Sequence, residues 1–373
     1  MAAVALRLLA DDLTGALDTA AQFSGAAGPV AVCFRPRDAR AAEPRLGFST
    51  ATRECSEAEA ERVMRDLAPF FADADVAFLK VDSLLRGHAA SSLALAFRNG
   101  GFRSCVFAPA FPAQHRITRG GVQLVRTLAG SWQDVRPGFV GELAGAGLPV
   151  RLVPDPARLG GAGVFVCDAA TDEDLTEIVA HAIALAPPLL WCGSAGLAHA
   201  LANVPVPRAA VPGAPLLVIV GSDHPVSRAQ VAALRQAQAA PVFGVRSGAD
   251  DAPPIRERLA LGEVAVVTFA LDENVPHDEA ARRVRATLAE LLPRLPRPRG
   301  VFVTGGETLG AVAAATGATG FTVGGEAAPG LPCSLLRGGM WDGVRIVSKS
   351  GAFGDAGLLV RIVASAGAPL AAA

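Results

Sequence analysis

The N-terminal stretch RLLADDLTGALDTAAQF (Arg7–Phe23) passes from an apolar run to an acidic turn and then to an alanine-rich segment. The apolar run ends at two adjacent aspartates, Asp11 and Asp12, and a third carboxylate follows at Asp18. Apolar run, polar turn and amphipathic segment in this order indicate a buried strand followed by a helix. The stretch therefore predicts a βα unit with carboxylates at the strand end, where either Asp11 or Asp12 caps the helix.

The same alternation continues along the 373 residues and favours parallel βα units. We expect strands at Leu6–Ala10, Val30–Phe34, Arg45–Ser49, Val76–Val81, Ser104–Ala108, Gly163–Cys167, Leu189–Cys192, Leu216–Val220, Pro241–Val245, Val264–Phe269, Gly300–Thr304, Cys333–Leu336 and Val344–Ser348. The proline-rich stretch Asn203–Pro215 lacks periodicity and predicts a linker. The prediction is an α/β protein of two α/β domains with mainly parallel sheets, over residues 1–205 and 214–373, joined by a linker at 206–213.

Composition excludes several classes of function. The net charge of −1 and the pI of about 6.6 give no basic field for nucleic acid or an anionic membrane. Mean hydropathy is +0.37, yet no uninterrupted apolar stretch is long enough to span a bilayer, and the early aspartates interrupt any signal peptide. The six cysteines form no CxxC pair, so we expect reduced, structural thiols in a cytoplasmic protein that binds a small molecule.

Lysine is rare in this chain. Of 34 basic residues only Lys80 and Lys349 are lysines, and the others are arginines. Arginine does not replace lysine where a compact ammonium must reach a single oxygen. The two lysines are therefore candidates for such positions, with chance survival as the alternative.

Residues just beyond the carboxyl ends of strands are the ones that bind ligands in parallel α/β sheets. In FLKVDSLLRGH (Phe78–His88), strand alternation places Lys80 and Asp82 on one face, with Ser83 and Arg86 close behind. Two cations and a hydroxyl suit an anionic substrate such as a carboxylate. A plain Lys80–Asp82 salt bridge in a structural turn is the alternative.

The segment FAPAFPAQHRITRGG (Phe107–Gly121) has prolines and paired glycines, which predict an irregular loop without regular structure. Loops that follow strands and are rich in polar groups often carry function. The polar donors of this segment are Gln114, His115, Arg116, Thr118 and Arg119.

Three glycine turns follow strands in the second half of the chain: VIVGSDHPVSRAQV (Val218–Val231), VFVTGGETLGAV (Val301–Val312) and VSKSGAFGDAG (Val347–Gly357). Glycine lets the backbone approach a ligand, and helix N-termini favour phosphate. Three such turns, one of them with Lys349, indicate a site for a nucleotide's phosphates. The P-loop and the dinucleotide GxGxxG motif are absent, so the site is of another type.

Eight motifs, in order, resemble the four-carbon acid sugar kinases, which include 3-oxo-tetronate, D-threonate and D-erythronate kinases. They are ADDLTGALD, LKVDSLLRG, APAFPAQHRITRGGV, GSAGLA, VGSDHPVSRAQ, TGGETLGAV, PGLP and SKSGAFG, and they extend from about Ala10 to about Gly357. The resemblance implies an ATP-dependent kinase with an N-terminal acid-sugar domain, a C-terminal nucleotide domain and an active-site cleft between them. The chain departs from the family at Leu84, His88, Asp223, His224 and Glu307.

Matching the motifs residue by residue implies the site. The acid-sugar site maps to Asp11, Asp12, Lys80, Asp82, Ser83, Arg86, Gln114 and Arg116. The ATP site maps to Ser222, Gly305, Gly306, Glu307, Thr308, Gly351 and Gly354, with Lys349 beside them.

We expect phosphoryl transfer from ATP, with Mg²⁺, to a hydroxyl of a small hydroxy acid. Asp12 is the expected base, oriented by Asp11 or Asp82, while Lys80 and Arg86 hold the substrate carboxylate and Lys349 offsets the triphosphate charge. The sequence assigns no metal ligands. A homodimer is the default oligomer.

Two rival interpretations remain at this stage. A non-catalytic sugar-acid or nucleotide sensor could use the same scaffold, because the GSDHP and DSLLRGH motifs are altered. An NAD-dependent dehydrogenase would also use glycine turns, but the missing GxGxxG motif argues against it.

Overall fold

The computed structural model describes residues 4–25, 27–39, 43–127, 130–271 and 275–367. The chain divides into two compact units, unit 1 (Met1–Val206) and unit 2 (Pro207–Ala373). Both units alternate strands and helices, which confirms the predicted α/β class. All thirteen predicted strands are present, with ends that agree to within a residue.

Unit 1 is built around a parallel sheet whose strands carry long apolar runs. These are β1 (Leu6–Ala10), β2 (Val30–Cys33), β3 (Arg45–Ser49), β4 (Val76–Lys80), β5 (Ser104–Ala108), β9 (Val150–Val153), β10 (Gly163–Cys167) and β11 (Leu189–Gly193). Their order within unit 1 is β2-β3-β1-β4-β11-β5-β10-β9. Strands β2, β3, β5 and β10 are buried throughout, and β1, β4 and β11 have a single residue that is only partly buried, as expected for a parallel sheet covered on both faces.

The helices of unit 1 are α1 (Leu13–Gln22), α2 (Glu57–Leu67), α3 (Ala89–Asn99), α4 (Phe139–Gly145), α5 (Asp172–Ala182) and α6 (Ala195–Ala202). Polar side chains cap several of them, as in α2, where Ser56 accepts from the Glu59 amide, and α6, where Ser194 accepts from the Gly196 amide. A cap satisfies an amide that would otherwise lack a partner at the helix N-terminus.

The expectation of an irregular loop at residues 107–121 is wrong. This region contains β6 (Arg116–Arg119), which pairs with β7 (Val122–Arg126), and β7 pairs in turn with β8 (Trp132–Asp134) in a small antiparallel sheet. Gly120 and Gly121, with φ of 60° and 75°, form the two-residue turn of the hairpin. Such paired left-handed residues match the twist of a hairpin, so the two glycines mark a strand connection.

Unit 2 has strands β12 (Leu216–Val220), β13 (Val242–Val245), β14 (Val264–Phe269), β15 (Gly300–Thr304), β16 (Gly320–Glu326), β17 (Pro332–Arg337) and β18 (Arg345–Lys349). Their order within unit 2 is β13-β14-β12-β15-β18-β17-β16. The first five strands in that order run parallel, whereas β17 is antiparallel to both of its neighbours. The predicted mainly parallel character is therefore confirmed for both units.

The helices of unit 2 are α7 (Pro225–Gln236), α8 (Ala252–Ala260), α9 (His277–Leu291), α10 (Gly306–Thr316) and α11 (Leu358–Gly367). Each unit has its own buried apolar cluster, formed between its sheet and its helices. All six cysteines are free thiols, and only Cys55 is not fully buried, in agreement with a structural role.

Candidate functional site

The carboxyl ends of three adjacent strands in unit 1 bring the acidic residues together. Strand β1 lies between β3 and β4, with Ala10 in register with Ser49 on one side and Lys80 on the other. Asp11 and Asp12 follow β1, and Asp82 follows β4 by two residues. The predicted juxtaposition at one edge of the sheet is thus present in the fold.

Arg53, which the sequence analysis did not single out, is the centre of this cluster. Its Nε donates to Asp11 Oδ2 at 2.9 Å, and its Nη2 donates to Asp11 Oδ1 and to Asp12 Oδ1, both at 2.6 Å. The guanidinium therefore holds both carboxylates at once in fork geometry. One signal was present in the sequence, because Arg53 follows β3 at the same edge of the sheet.

Asp12 is the residue that caps α1. Its Oδ1 accepts from the Gly15 amide at 3.0 Å, and its Oδ2 accepts from the Thr14 hydroxyl at 2.5 Å. The backbone at Asp12 is extended, as an N-cap requires. Asp12 therefore both caps α1 and belongs to the acidic cluster. Its Oδ2 accepts from the Thr14 hydroxyl and has no hydrogen bond from an arginine.

Asp82 pairs with Arg86, so the Lys80–Asp82 salt bridge considered above is not formed. Arg86 Nε donates to Asp82 Oδ2 at 2.6 Å and Arg86 Nη2 donates to Asp82 Oδ1 at 3.1 Å. The buried Lys80 ammonium instead donates to the Val81 carbonyl at 2.7 Å. It also lies beside Gly15, where an added β-carbon would stand 3.1 Å from Nζ. Gly15 thus gives Lys80 space next to the Asp12 cap.

The small antiparallel sheet fixes Ser83. Arg116, at the start of β6, donates from Nη1 to the Ser83 hydroxyl. Gln123 on β7 is buried and donates from Nε2 to the Ser83 carbonyl at 2.8 Å, while its Oε1 accepts from the Thr118 hydroxyl. Gln114 ends the short helical turn that precedes β6. The hairpin therefore fixes Ser83 through hydrogen bonds to both its hydroxyl and its carbonyl oxygen.

Two of the four cations in this cluster are not engaged by carboxylates. Arg53 and Arg86 form ion pairs with aspartates. Within the described residues, Lys80 and Arg116 donate to uncharged oxygens, and the buried Nε of Arg116 has no protein acceptor. A cluster with two such cations is suited to an anionic ligand.

Burial and charge shift the acidities of the cluster in opposite directions. Burial raises the pKa of Asp11, against the field and hydrogen bonds of Arg53, which lower it. Burial alone would also raise the pKa of Asp82, but the Arg86 bonds and the fields of Arg53 and Lys80 hold it well below its usual range. Burial lowers the pKa of Arg116. Different protonation tendencies in adjacent carboxylates are typical of active sites.

The three glycine turns of unit 2 meet at the carboxyl ends of β12, β15 and β18. A β-carbon added at Gly351 would collide with the Ser222 hydroxyl and stand 3.0 Å from Ser222 Cβ. A β-carbon at Gly221 would collide with the side chain of Thr308. Gly305, with φ of 101°, donates from its amide to the Lys349 carbonyl at 2.9 Å. The glycines are therefore needed for the close approach of the turns to one another.

Two helices begin at this meeting point. Helix α7 starts after His224, and α10 starts at Gly306, directly after Gly305. Helix N-termini present free amides and a partial positive charge, which favour phosphate groups. Glu307 is exposed and lies 3.4 Å from His277 Nε2. Gly354 takes the left-handed conformation with φ of 82° in the third turn.

Lys349 is buried inside the third turn. Its ammonium donates to the carbonyls of Ser350 at 3.0 Å, Gly351 at 3.3 Å and Phe353 at 3.1 Å. All three protons of the ammonium thus have backbone acceptors. That Lys349 offsets the charge of a triphosphate stays a prediction, and its ammonium protons are directed to the backbone of its own turn.

Among the described residues, no cluster of three or more histidine, cysteine or acidic side chains has the arrangement needed to hold a metal ion. In the same parts of the chain, no helix has both the length and the apolar character to cross a membrane.

Comparison with known families divides the chain in the same way as its fold. Residues 6–137 and 151–201 match a family described as a sugar-binding N-terminal domain, and residues 217–359 match one described as a nucleotide-binding C-terminal domain. The class of protein that these matches define is a sugar-binding and nucleotide-binding α/β enzyme.

The curated relatives make the assignment more specific. D-threonate kinases of Cupriavidus necator and Bordetella bronchiseptica are 32% and 30% identical to this chain, and each match covers at least 93% of both proteins. A D-threonate kinase of Salmonella typhimurium is 28% identical over 93% of this chain and 95% of its own length. The chain belongs to the four-carbon acid sugar kinase family, whose members are ATP-dependent phosphotransferases with an alcohol group as acceptor.

Solved structures share the fold. A Salmonella typhimurium structure described as a putative tRNA synthase has a TM-score of 0.75 at 22% identity, covering 95% of this chain and 98% of that chain. A Haemophilus influenzae protein has a TM-score of 0.71 at 17% identity, covering 96% of this chain and 98% of its own.

Proposed function

We propose that this protein transfers the γ-phosphoryl group of ATP to a hydroxyl of D-threonate or a closely related four-carbon hydroxy acid. The observation that carries the proposal is the near full-length similarity to D-threonate kinases. The cluster around Arg53 agrees with it, because it combines carboxylates with two cations that are not engaged by carboxylates.

The acid would bind through Lys80 and Arg116. Among the four cations of the cluster, these two have no carboxylate partner within the described chain, whereas Arg86 is committed to Asp82. We therefore place Arg86 behind the site, where it fixes Asp82 and the turn that carries Ser83. Gln114 lies two residues before Arg116 and remains a candidate for a hydroxyl of the substrate.

We assign the base to Asp12. Both oxygens of Asp11 are held by Arg53, and both oxygens of Asp82 are held by Arg86. Asp12 alone of the three has an oxygen, Oδ2, that no arginine binds, so a substrate hydroxyl can share it with Thr14. A carboxylate that accepts the hydroxyl proton is the usual base in phosphoryl transfer by kinases.

The nucleotide would bind in unit 2, where the three glycine turns meet. Ser222, the run from Gly305 to Thr308, Gly351 and Gly354 provide amides and hydroxyls for its phosphates. Mg²⁺ is bound in many kinases by one or two carboxylates together with the phosphates, so we propose that it enters with ATP. Residues 1–205 are accordingly proposed as the acid-sugar domain and 214–373 as the nucleotide domain, with a linker at 206–213.

The test is an assay of ADP formation with ATP, Mg²⁺ and a panel that contains D-threonate, D-erythronate, L-threonate and their 3-oxo forms. We expect turnover with at least one acid and none with Mg²⁺ withheld. Tight binding of acid or nucleotide without ADP formation would instead support a sensor, and a spectral change of a nicotinamide cofactor would support a dehydrogenase.

Asp12→Asn tests the base. We expect turnover to fall by about 10²- to 10⁴-fold, the usual contribution of a general base, while ADP affinity is unchanged. Asparagine keeps the oxygen that caps α1, so helix stability is retained. Turnover equal to that of the unaltered protein would exclude Asp12 as the base.

We further propose a cytoplasmic homodimer. Six free thiols are consistent with a reducing compartment. Two-fold dimers are the commonest oligomers. Analytical ultracentrifugation of the full chain would distinguish a dimer from a monomer.

A further inference from the structure

The carbonyl groups of the third glycine turn, residues 350–355, are bound by buried donors. The Lys349 ammonium binds those of Ser350, Gly351 and Phe353. From helix α7, the Ser227 hydroxyl also donates to Gly351 O at 2.7 Å, and Gln230 Nε2 donates to Phe353 O and Asp355 O, both at 2.9 Å. Lys349, Ser227 and Gln230 are all buried, so the donors act from the inner side of the turn.

This arrangement fixes the direction of the amides in the turn. In a trans peptide, the carbonyl of one residue and the N–H of the next point in opposite directions. Because the carbonyls of Ser350, Gly351 and Phe353 point at the ammonium, the amides of Gly351, Ala352 and Gly354 point away from it. None of these three amides donates to an acceptor within the described chain, and Ala352 and Gly354 are exposed. The Phe353 amide between them donates to the Ser350 carbonyl at 3.1 Å, so the outward donors are the successive amides of Gly351 and Ala352 and, beyond Phe353, that of Gly354. Outward backbone amides in a turn of this kind form an anion-binding concavity.

We propose that Lys349 is a positioning residue for the nucleotide: it holds the carbonyls of the 350–355 turn inward, so that the amides of Gly351, Ala352 and Gly354 face the phosphates. This inference rests on the proposed nucleotide site, and it replaces direct contact between the lysine and the triphosphate. Lys349 also links the turn to the second one, because its carbonyl accepts from the Gly305 amide.

The same geometry explains why lysine is retained here in a chain that otherwise uses arginine. One compact ammonium with three protons reaches three carbonyls that surround it. A guanidinium is planar and directs its donors outward in a fork, so it cannot converge on the same three oxygens. Although burial lowers the pKa of Lys349 to about 8, the group keeps its third proton at pH 7.

The test compares Lys349→Met, Lys349→Arg and Gln230→Leu with the matched control Arg361→Met. Arg361 pairs with Asp355 at the exposed side of the same turn, at 2.9 and 3.0 Å, and takes no part in the carbonyl network. The measurements are the Kd for ADP by calorimetry at pH 7, the KM values for ATP and for the acid, and hydrogen exchange of the 346–358 peptide without nucleotide.

For Lys349→Met we expect the ADP Kd and the KM for ATP to rise about tenfold or more, while the KM for the acid stays within about twofold. Hydrogen exchange of the nucleotide-free turn should accelerate, because the turn loses its inner anchor. Lys349→Arg should show the same defects, and Gln230→Leu a smaller one in the same direction. Arg361→Met should leave nucleotide binding unchanged.

Two results would overturn the inference. If Lys349→Arg restored ADP binding and Lys349→Met left exchange of the free turn unchanged, the lysine would act as a phosphate ligand. If the KM for ATP and the KM for the acid both rose and the melting temperature fell, Lys349 would only stabilise the fold in general. Should Lys349→Met fail to fold, Lys349→Arg and Gln230→Leu provide the same comparison. A protein that binds no ADP at all would instead contradict the proposed function.

Discussion

Arg53 joins Asp11 and Asp12 in the acidic cluster of unit 1. It spans Asp11 and Asp12 with three hydrogen bonds, and its side chain is only 11% exposed. Without such a partner, two adjacent carboxylates in a buried position would repel each other and favour a bound proton. The arginine therefore offsets the charges of both carboxylates and holds Asp11 and Asp12 side by side.

Arg53→Met should destabilise the protein by about 3 kcal/mol, because it leaves the largely buried Asp11 carboxylate, only 16% exposed, without its ion-pair partner. Loss of Arg53 also removes the interaction that lowers the pKa of Asp11, so the folded state of the variant binds a proton more readily than its unfolded state. Stability of the variant then falls as pH rises, and its deficit should be larger at pH 8 than at pH 5. Urea unfolding at both pH values measures this.

The control for Arg53→Met is Arg62→Met, which removes the exposed Arg62–Asp66 pair on α2. Surface pairs of this kind contribute little, and we expect a change below about 1 kcal/mol. If Arg53→Met lowered the free energy of unfolding by as little as Arg62→Met, or by an amount independent of pH, Arg53 would not offset the charge of the Asp11 carboxylate.

Among the elements, the glycine turns of unit 2 depend on close contact between backbones. Gly351 lies against Ser222, and Gly221 lies against Thr308, so side chains at either position would separate turns that must adjoin. The two helices that begin there, α7 and α10, then present their N-termini to the same place. Packing of the turns by itself therefore requires glycine at both positions.

Gly351→Ala should raise the KM for ATP about tenfold or more and cost about 1–3 kcal/mol of stability, because the added methyl collides with the Ser222 side chain. The matched change Gly310→Ala lies within α10, where nothing stands within 4 Å of the added carbon. It should leave the KM for ATP unchanged and stabilise the helix by up to about 1 kcal/mol. Steady-state kinetics of both variants measure the KM for ATP, and thermal unfolding measures their stability. An unchanged KM for ATP in Gly351→Ala would place the phosphates elsewhere.

At the scale of the whole molecule, the two units have separate apolar clusters, and the residues proposed for the two ligands are divided between them. All residues proposed for the acid lie before Val206, and all those proposed for the nucleotide lie after Pro207. We therefore expect affinity for the two ligands to be altered independently by substitutions in the two units, even though turnover needs both.

Arg116→Met should raise the KM for the acid about tenfold or more, since it removes a cation without a carboxylate partner, and leave the ADP Kd within about twofold. Gly351→Ala should show the reverse pattern. Arg119→Met, on the same strand as Arg116 but with an exposed side chain, is the control and should alter neither value. Calorimetry with ADP and kinetics with the acid provide the measurements. Equal loss of both affinities in Arg116→Met would contradict the division of ligands between the units.

The sequence by itself determined the class of fold and placed most residues of the candidate site at the ends of strands. Apolar runs that end in polar or glycine-rich turns predict parallel strands, and this local signal placed Asp11, Asp12 and Asp82 at strand ends. The sequence does not predict the hairpin of β6 and β7, because its paired glycines, Gly120 and Gly121, are typical of loops as well as of two-residue turns between strands.

Tertiary structure alone decided which groups pair. Arg53 and Asp11 form an ion pair although they are 42 residues apart in the sequence. The sequence also does not show that Asp82 pairs with Arg86, or that Lys349 binds backbone carbonyls. The sequence gives the charge of each side chain, but the groups that pair with it often come from other strands and turns and are known only from the fold. Within the described residues, the fold therefore leaves Lys80 and Arg116 without a carboxylate partner and directs Lys349 to the backbone of its own turn.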